Sequence, residues 1–287
     1  MTFVPLVQSL RPKQMIKNLL VLAAPAAAGV LPEARSLWRT ALAFIVFCLL
    51  SGGIYLVNDL RDAPLDRKHP TKRHRPIAAG ELSPRIATLA AGVLLVGVLV
   101  LAALVNADLA LLGALFVANS LIYSLWLKRV AVLDIVLISA GFVIRAVAGA
   151  VSVDIAISSW FLFVAMFGSL FLAASKRSSE IAALGIDSET RSVLEHYSAS
   201  FLTQVQTIAV SLTLVGYTLW TTEHGNETGA GETWLALSIG PFLLGLLRYL
   251  LSASKGPVEA PESAIFEDPV LLGAVGLWGV LFLLGVG

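Results

Sequence analysis

Asn58, Asp59, Asp62 and Asp66 crowd into one short stretch, and Arg67, Lys68, Lys72, Arg73 and Arg75 follow at once. On a helix turning about 100° per residue the three aspartates fall within about 60° of one another, with Asn58 about 100° from Asp59. Such a face repels itself unless a cation sits on it. Carboxylate and amide oxygens without Cys or His suit a hard divalent ion such as Mg2+, which keeps waters and completes its shell with substrate phosphates. The cations downstream suit those phosphates, Arg by bidentate contact. Pro64 would clash inside a continuous helix, so a kink or a fresh helix start is expected between Asp62 and Asp66. The shared face is therefore firmer for Asn58, Asp59 and Asp62 than for Asp66. A solvated loop of mixed charge is the alternative, but these acids directly continue an apolar span.

The elements that must position this motif are membrane spans. Of 287 residues 57% are apolar and 14% charged, with mean hydropathy +0.84; soluble domains carry about 25% charged residues. The composition predicts an all-α polytopic membrane protein, one domain over residues 1–287. Apolar runs give nine transmembrane helices near 15–31, 37–60, 85–105, 108–127, 132–151, 157–175, 201–221, 232–252 and 268–286. The first is weakest, interrupted by Pro25, and with Ala26-Ala27-Ala28 behind its basic start it imitates a secretory signal. With the N-terminus cytoplasmic, only Arg35 and Arg39 fall outside and Arg145 within a span, so the positive-inside bias fixes that orientation. A cell-membrane protein with its chemistry on the cytoplasmic side follows. Residues 1–14 form an amphipathic surface segment, and 61–84 and 176–200 are the cytoplasmic loops left to do chemistry. The single Cys48 precludes an intrachain disulfide.

The remaining polar residues cluster at the cytoplasmic ends. Arg11 and Lys13 serve equally well as positive-inside anchors, whereas Asn18 has no reason to face lipid. Ser51-Gly52-Gly53 allows close helix approach before the motif. Ser83 is an N-cap with Pro84 at the first helical position. Arg145 lies on the face of Asp134, about 16 Å deeper, and needs a ligand phosphate or an acid on a neighbouring helix. Lys176-Arg177-Ser178-Ser179-Glu180 opens a second polar cluster, with a surface Lys176–Glu180 pair as the alternative. His196 and His224 read as solvated loop residues. There is no Gly-rich phosphate loop, no paired zinc histidine and no Ser/His/Asp pattern.

Asn58-Asp59-x-x-Asp62-x-x-x-Asp66 followed by Arg75-Pro76 resembles the first aspartate-rich motif of the UbiA-type intramembrane prenyltransferases. Arg11 to Asn18, His69 to Gly80, Tyr123 to Arg129 with Leu133-Asp134, and Gly141 to Ala146 resemble its polyprenyl-phosphate phosphoribosyltransferase branch. Members that use prenyl diphosphates carry a second DxxxD motif where this chain has Lys176-Arg177-Ser-Ser-Glu180, which favours a lipid monophosphate. The resemblance implies transfer of 5-phosphoribose from phosphoribosyl diphosphate to a polyprenyl (decaprenyl) phosphate, releasing diphosphate, in cell-wall arabinan precursor synthesis. It implies Mg2+ held by Asp59, Asp62 and Asp66 with Asn58, the three aspartates being catalytic. Lys17, Lys128, Arg129, Arg145, Lys176 and Arg177 are then candidates for phosphate, and Asn18, Arg75, Tyr123 and Glu180 complete the substrate-binding set. The nucleophilic phosphate is ionised at neutral pH, since its second pKa is near 6, so no general base is required. Membrane lipid is the expected surrounding, no nucleic acid is expected, and self-association stays open. One alternative moves a prenyl group onto an aromatic acceptor; another is a transporter or lipid-binding scaffold, although transporters place acids near mid-membrane.

Overall fold

A computed structural model describes residues 3–184, 193–228, 231–255 and 267–287, and among these the chain is helical with no strand. The helices are α1 Phe3–Ser9, α2 Ala23–Ala27, α3 Ala34–Asp66, α4 Pro76–Ala79, α5 Pro84–Gly92, α6 Val98–Val105, α7 Ala107–Leu125, α8 Leu133–Ser152, α9 Ser159–Leu184, α10 Ala199–Thr228, α11 Glu232–Lys255 and α12 Pro269–Val286. A π turn, Val93–Gly97, joins α5 to α6 into one rod, Pro84–Val105. Eight helices among the described residues are long and apolar enough to cross a membrane. The expected first span instead forms a 3-10 helix, Pro12–Leu22, that continues into α2. Helix α9 runs to Leu184, so residues 176–184 of the expected second loop are helical; Asp187, Glu189 and Arg191 lie outside the described residues.

Helix α3 explains why the acidic motif sits at a membrane boundary. Its 33 residues give a rod of about 50 Å, against about 30 Å of hydrocarbon. Arg39 and Asn58 are about 28 Å apart along such a rod, so the motif emerges on the side opposite Arg39. The helix continues through Pro64 to Asp66, with Arg67 N donating to Ala63 O at 3.1 Å. This corrects the expectation of a fresh helix start between Asp62 and Asp66. Pro64 lies in the last turn, where losing one amide costs a single ladder bond and no following helix has to be aimed.

Two compact units divide the chain, and α8 gives its first part, up to Val143, to the second and its remainder to the first. In the first unit Phe47, Leu50, Ile54, Phe116 and Ala148 form one core, and Leu56, Ala63, Ile77, Leu82 and Ala87 another beneath the motif. Lipid tails are as apolar as leucine, so close packing rather than escape from water holds such helices together. Gly149 shows the consequence: a Cβ there would stand 1.9 Å from the Val21 carbonyl oxygen, so only glycine lets α8 approach the 3-10 helix. Gly80 closes α4 at φ +82°, where it accommodates the left-handed turn freely. The second unit packs Phe171 with Tyr249 and, at another level, Tyr217, Trp220, Phe242, Trp278 and Phe282. His224 is not a loop residue: it lies on α10, half-buried and stacked on Trp220.

Candidate active site

The first cluster is built where α3 ends. Burial places Asp59 and Asp66 inside, at 3% and 5% exposure, while Asn58 and Asp62 are half-buried. Two buried carboxylates seven residues apart need positive charge, and Arg75 supplies it: its Nη1 donates to Asp59 Oδ1 at 3.1 Å and to Asp66 Oδ2 at 2.7 Å. A second guanidinium, from Arg11, bonds the same Asp59 Oδ1 and lies over the Tyr55 ring, 4.9 Å from its centroid. Such pairs matter mainly through their absence, because breaking a buried pair leaves an uncompensated charge.

The loop that returns Arg75 to α3 is folded by its own polar atoms. His69 Nδ1 accepts from Thr71 N at 3.2 Å and Lys72 N at 3.3 Å. Arg67 Nε donates to Ala78 O at 3.3 Å. Ser83 caps α5 as expected, accepting from Ile86 N at 3.3 Å. On the other side Arg61 Nη1 donates to Ser124 O at 2.5 Å, a cation on the carbonyl end of α7. Arg67, Lys68 and Arg73 are exposed.

Deeper in the first unit, Asn18 is 1% exposed, as expected of an amide that avoids lipid. Its Oδ1 accepts from Arg145 Nε at 2.7 Å and Ser51 Oγ at 3.4 Å, and its Nδ2 donates to Cys48 Sγ at 3.3 Å. Arg145 also lies 4.3 Å from the Phe116 ring centroid. The intramembrane arginine thus has an amide and a π face among its partners. Lys17 Nζ donates to Gln14 Oε1 at 2.5 Å.

The second unit holds a separate cluster. Arg177 is 1% exposed; its Nε donates to Asp134 Oδ2 at 2.6 Å and its Nη1 to Glu180. Tyr197 OH donates to the other oxygen of Asp134 and accepts from Val132 N at 2.6 Å, where Val132 has φ +70°. Burial and the bond to Asp134 both raise the Tyr197 pKa, since each favours the neutral phenol. Through Asp134, Arg177 therefore ties the end of α9, and Tyr197 the turn before α10, to the start of α8. Glu180 and Lys176 are half-buried, as are Tyr123 and Lys128, while Arg129 is exposed.

The groups of the first cluster that could ligate a metal, Asn58, Asp59, Asp62 and Asp66, are all oxygen donors, the type that a hard divalent ion takes. No group of three His, Cys, Asp or Glu is preassembled for a metal among the described residues. Arg75 occupies the bridging position between Asp59 and Asp66, so the charge requirement of a cation site is present and is met by guanidinium. Arg11 and Tyr197 are the residues that sequence reasoning missed. Arg11 falls inside the Arg11-to-Asn18 stretch that carries the resemblance, a signal that the positive-inside explanation balanced evenly.

The UbiA prenyltransferase family profile matches residues 19–266. The chain is 42% identical to the decaprenyl-phosphate phosphoribosyltransferase of Mycolicibacterium smegmatis, covering 98% of this chain and 90% of that one. It is 40% identical to the protein of the same name in Corynebacterium glutamicum, covering 93% and 82%. Among solved structures, a UbiA homolog from Archaeoglobus fulgidus bound to GPP and Mg2+ matches with TM-score 0.71 over 98% of both chains, at 16% identity, a likeness of fold.

Proposed function

The chain belongs to the UbiA prenyltransferase family, and from that premise we propose that it transfers 5-phosphoribose from phosphoribosyl diphosphate to decaprenyl phosphate, releasing diphosphate. The observation that carries this is the near-full-length identity to phosphoribosyltransferases of that name. Supporting it, the site that would be a second acidic motif in a prenyl-diphosphate enzyme holds Arg177, neutralised by Asp134 and Glu180.

In this reading Asp59, Asp62 and Asp66 with Asn58 would hold Mg2+, which would supply positive charge to the leaving diphosphate. Arg75 keeps the two buried aspartates in place and offers its guanidinium to phosphate oxygens. Lys17, Lys128, Arg129 and Lys176 are the further cations for donor and acceptor phosphates. Arg145, with Asn18 and Ser51, fixes a polar point among the apolar walls that take the isoprenoid. As the C1–O bond to diphosphate breaks, the ribose becomes oxocarbenium-like, and an acceptor phosphate oxygen forms the new bond at C1. That oxygen is already ionised at neutral pH, so no side chain has to remove a proton.

The site faces the cytoplasm in the cell membrane, where the product serves as an arabinan precursor. The 3-10 helix and α2 together form a ninth crossing: their sixteen residues, 12–27, reach about 30 Å, because a 3-10 helix rises about 2 Å per residue. The deciding experiment supplies purified protein and Mg2+ with decaprenyl phosphate and labelled phosphoribosyl diphosphate, or with a prenyl diphosphate and an aromatic acid. Lipid-linked label with the first pair is expected; prenylated aromatic product alone would overturn the reading.

A further inference from the structure

We infer that Arg11 is an exchangeable counter-ion for Asp59, held there while no divalent cation is bound and passed to diphosphate oxygens when a cation-bearing diphosphate takes Asp59 over. The inference rests on the proposed function only in taking a metal-chelated diphosphate as the donor.

The two guanidiniums on Asp59 are not equivalent. Arg75 bonds two carboxylates, Asp59 and Asp66, and is anchored by both. Among the described residues Arg11 bonds only one carboxylate, Asp59, on the Oδ1 that Arg75 also uses. A divalent ion on Asp59 would meet the Arg11 charge within a few ångströms, and repulsion favours the departure of the singly held partner. Arg11 also has somewhere to rest, since its guanidinium already lies over the Tyr55 ring.

The backbone supports movement at this residue. Arg11 sits at φ 55° and ψ 64°, in the left-handed region, directly before Pro12. That region is sparsely populated by residues with a Cβ, and a following proline pushes its predecessor toward extended conformations. Such a conformation persists only when its surroundings enforce it. Here Leu6 and Leu10 pack on the Leu56, Ala63, Ile77 and Leu82 core on one side of the joint, and the 3-10 helix packs on α3 on the other. The side-chain bond to Asp59 completes the restraint, so its exchange releases a strained joint between two fixed segments.

The consequence is coupling. A bare cation that displaces Arg11 exchanges its carboxylate for the Tyr55 ring alone, a weaker partner, whereas a cation arriving with diphosphate gives it new oxygens at charge-assisted bonding distance. Arg11 therefore opposes free metal and favours the metal–diphosphate complex, and by linkage each ligand strengthens the other.

The test uses full-length protein in detergent, with Mn2+ as the probe, read by paramagnetic resonance, and inorganic diphosphate as the partner anion. For Arg11→Gln we expect Mn2+ alone to bind about fivefold tighter and the Mn2+–diphosphate complex about tenfold weaker than in wild type. Arg11→Lys, which keeps the charge, should stay near wild type on both. Opposite shifts in Arg11→Gln with Arg11→Lys unchanged support the exchange; any other pattern, including shifts in one direction, overturns it. Phosphoribosyl transfer by the wild type is measured in parallel. Its absence beside intact opposite shifts sinks the functional reading and leaves the exchange standing, and the reverse result does the opposite.

Discussion

At the scale of single residues, removal of Asp59 is the change expected to separate chemistry from folding. It is buried at 3% exposure with two guanidiniums on one oxygen. In Asp59→Asn, Arg75 keeps Asp66 and Arg11 keeps the Tyr55 ring, so the positive groups retain partners. The lost carboxylate charge should lower phosphoribosyl transfer by at least about a hundredfold, the scale of removing one preorganised electrostatic group. The midpoint of thermal unfolding in detergent should move by only a few degrees. Activity above a tenth of wild type would remove Asp59 from the machinery. Arg145→Ala makes a different prediction, because it strips Asn18 of its best donor inside the membrane. A buried amide losing a charged donor costs about 1–3 kcal/mol, so this variant should lose thermal stability, and a change confined to KM would contradict that account. The acids were legible because three of them, with Asn58, fall in one short stretch that directly continues an apolar run, which a solvated loop explains less well. The partners of Arg145 were not, because an amide more than a hundred residues away leaves no trace in local spacing.

Among elements, the pinning of α8 to the turn before α10 depends on one phenol. Tyr197 donates to Asp134 and accepts from Val132 N, so Tyr197→Phe removes both bonds and leaves a left-handed Val132 without its restraint. A loss of about 1–3 kcal/mol is expected. The pH dependence has a definite sign. The folded pKa of Tyr197 is raised, while the unfolded chain ionises near pH 10. Below that pH both states keep the proton and the stabilisation is complete; above it the unfolded state sheds its proton first and stability falls. Thermal midpoints taken from about pH 8 to pH 11 should fall more steeply in wild type than in Tyr197→Phe, and parallel curves would exclude this phenol as the source. The starts of the eight long helices were readable to within about three residues from apolar run length, because lipid demands continuous helices, whereas α3, α9 and α10 run well past their expected ends. The continuation of α9 through Lys176 to Leu184 and of α3 through Pro64 escaped that reading for one reason. Charge and proline mark where a helix leaves the membrane, and a helix capped by ion pairs such as Arg177 with Glu180 goes on past that boundary.

For the whole molecule, the orientation proposed from charge can be tested within the first unit alone. Arg61 on the Ser124 carbonyl places the C-terminal end of α7 beside the acidic end of α3. Asp108, in the first turn of α7, is then about 24 Å away along the helix axis, at the opposite face of the bilayer. Both Asp108 and Lys68 are exposed, so cysteines introduced there can meet a reagent. The single native cysteine, Cys48, is a half-buried acceptor for Asn18, and Cys48→Ser keeps an acceptor at that point while removing the thiol. In that background a membrane-impermeant maleimide added to intact cells should label Asp108→Cys and leave Lys68→Cys unlabelled until the membrane is opened. The reverse pattern would put the acidic motif on the outer face, where a phosphorylated sugar donor made in the cytoplasm does not reach it, and would remove the reading of Asn58, Asp59, Asp62 and Asp66 as its binding site. Labelling at both positions in intact cells would mean that α7 does not cross the bilayer at all, contrary to its length and apolar composition.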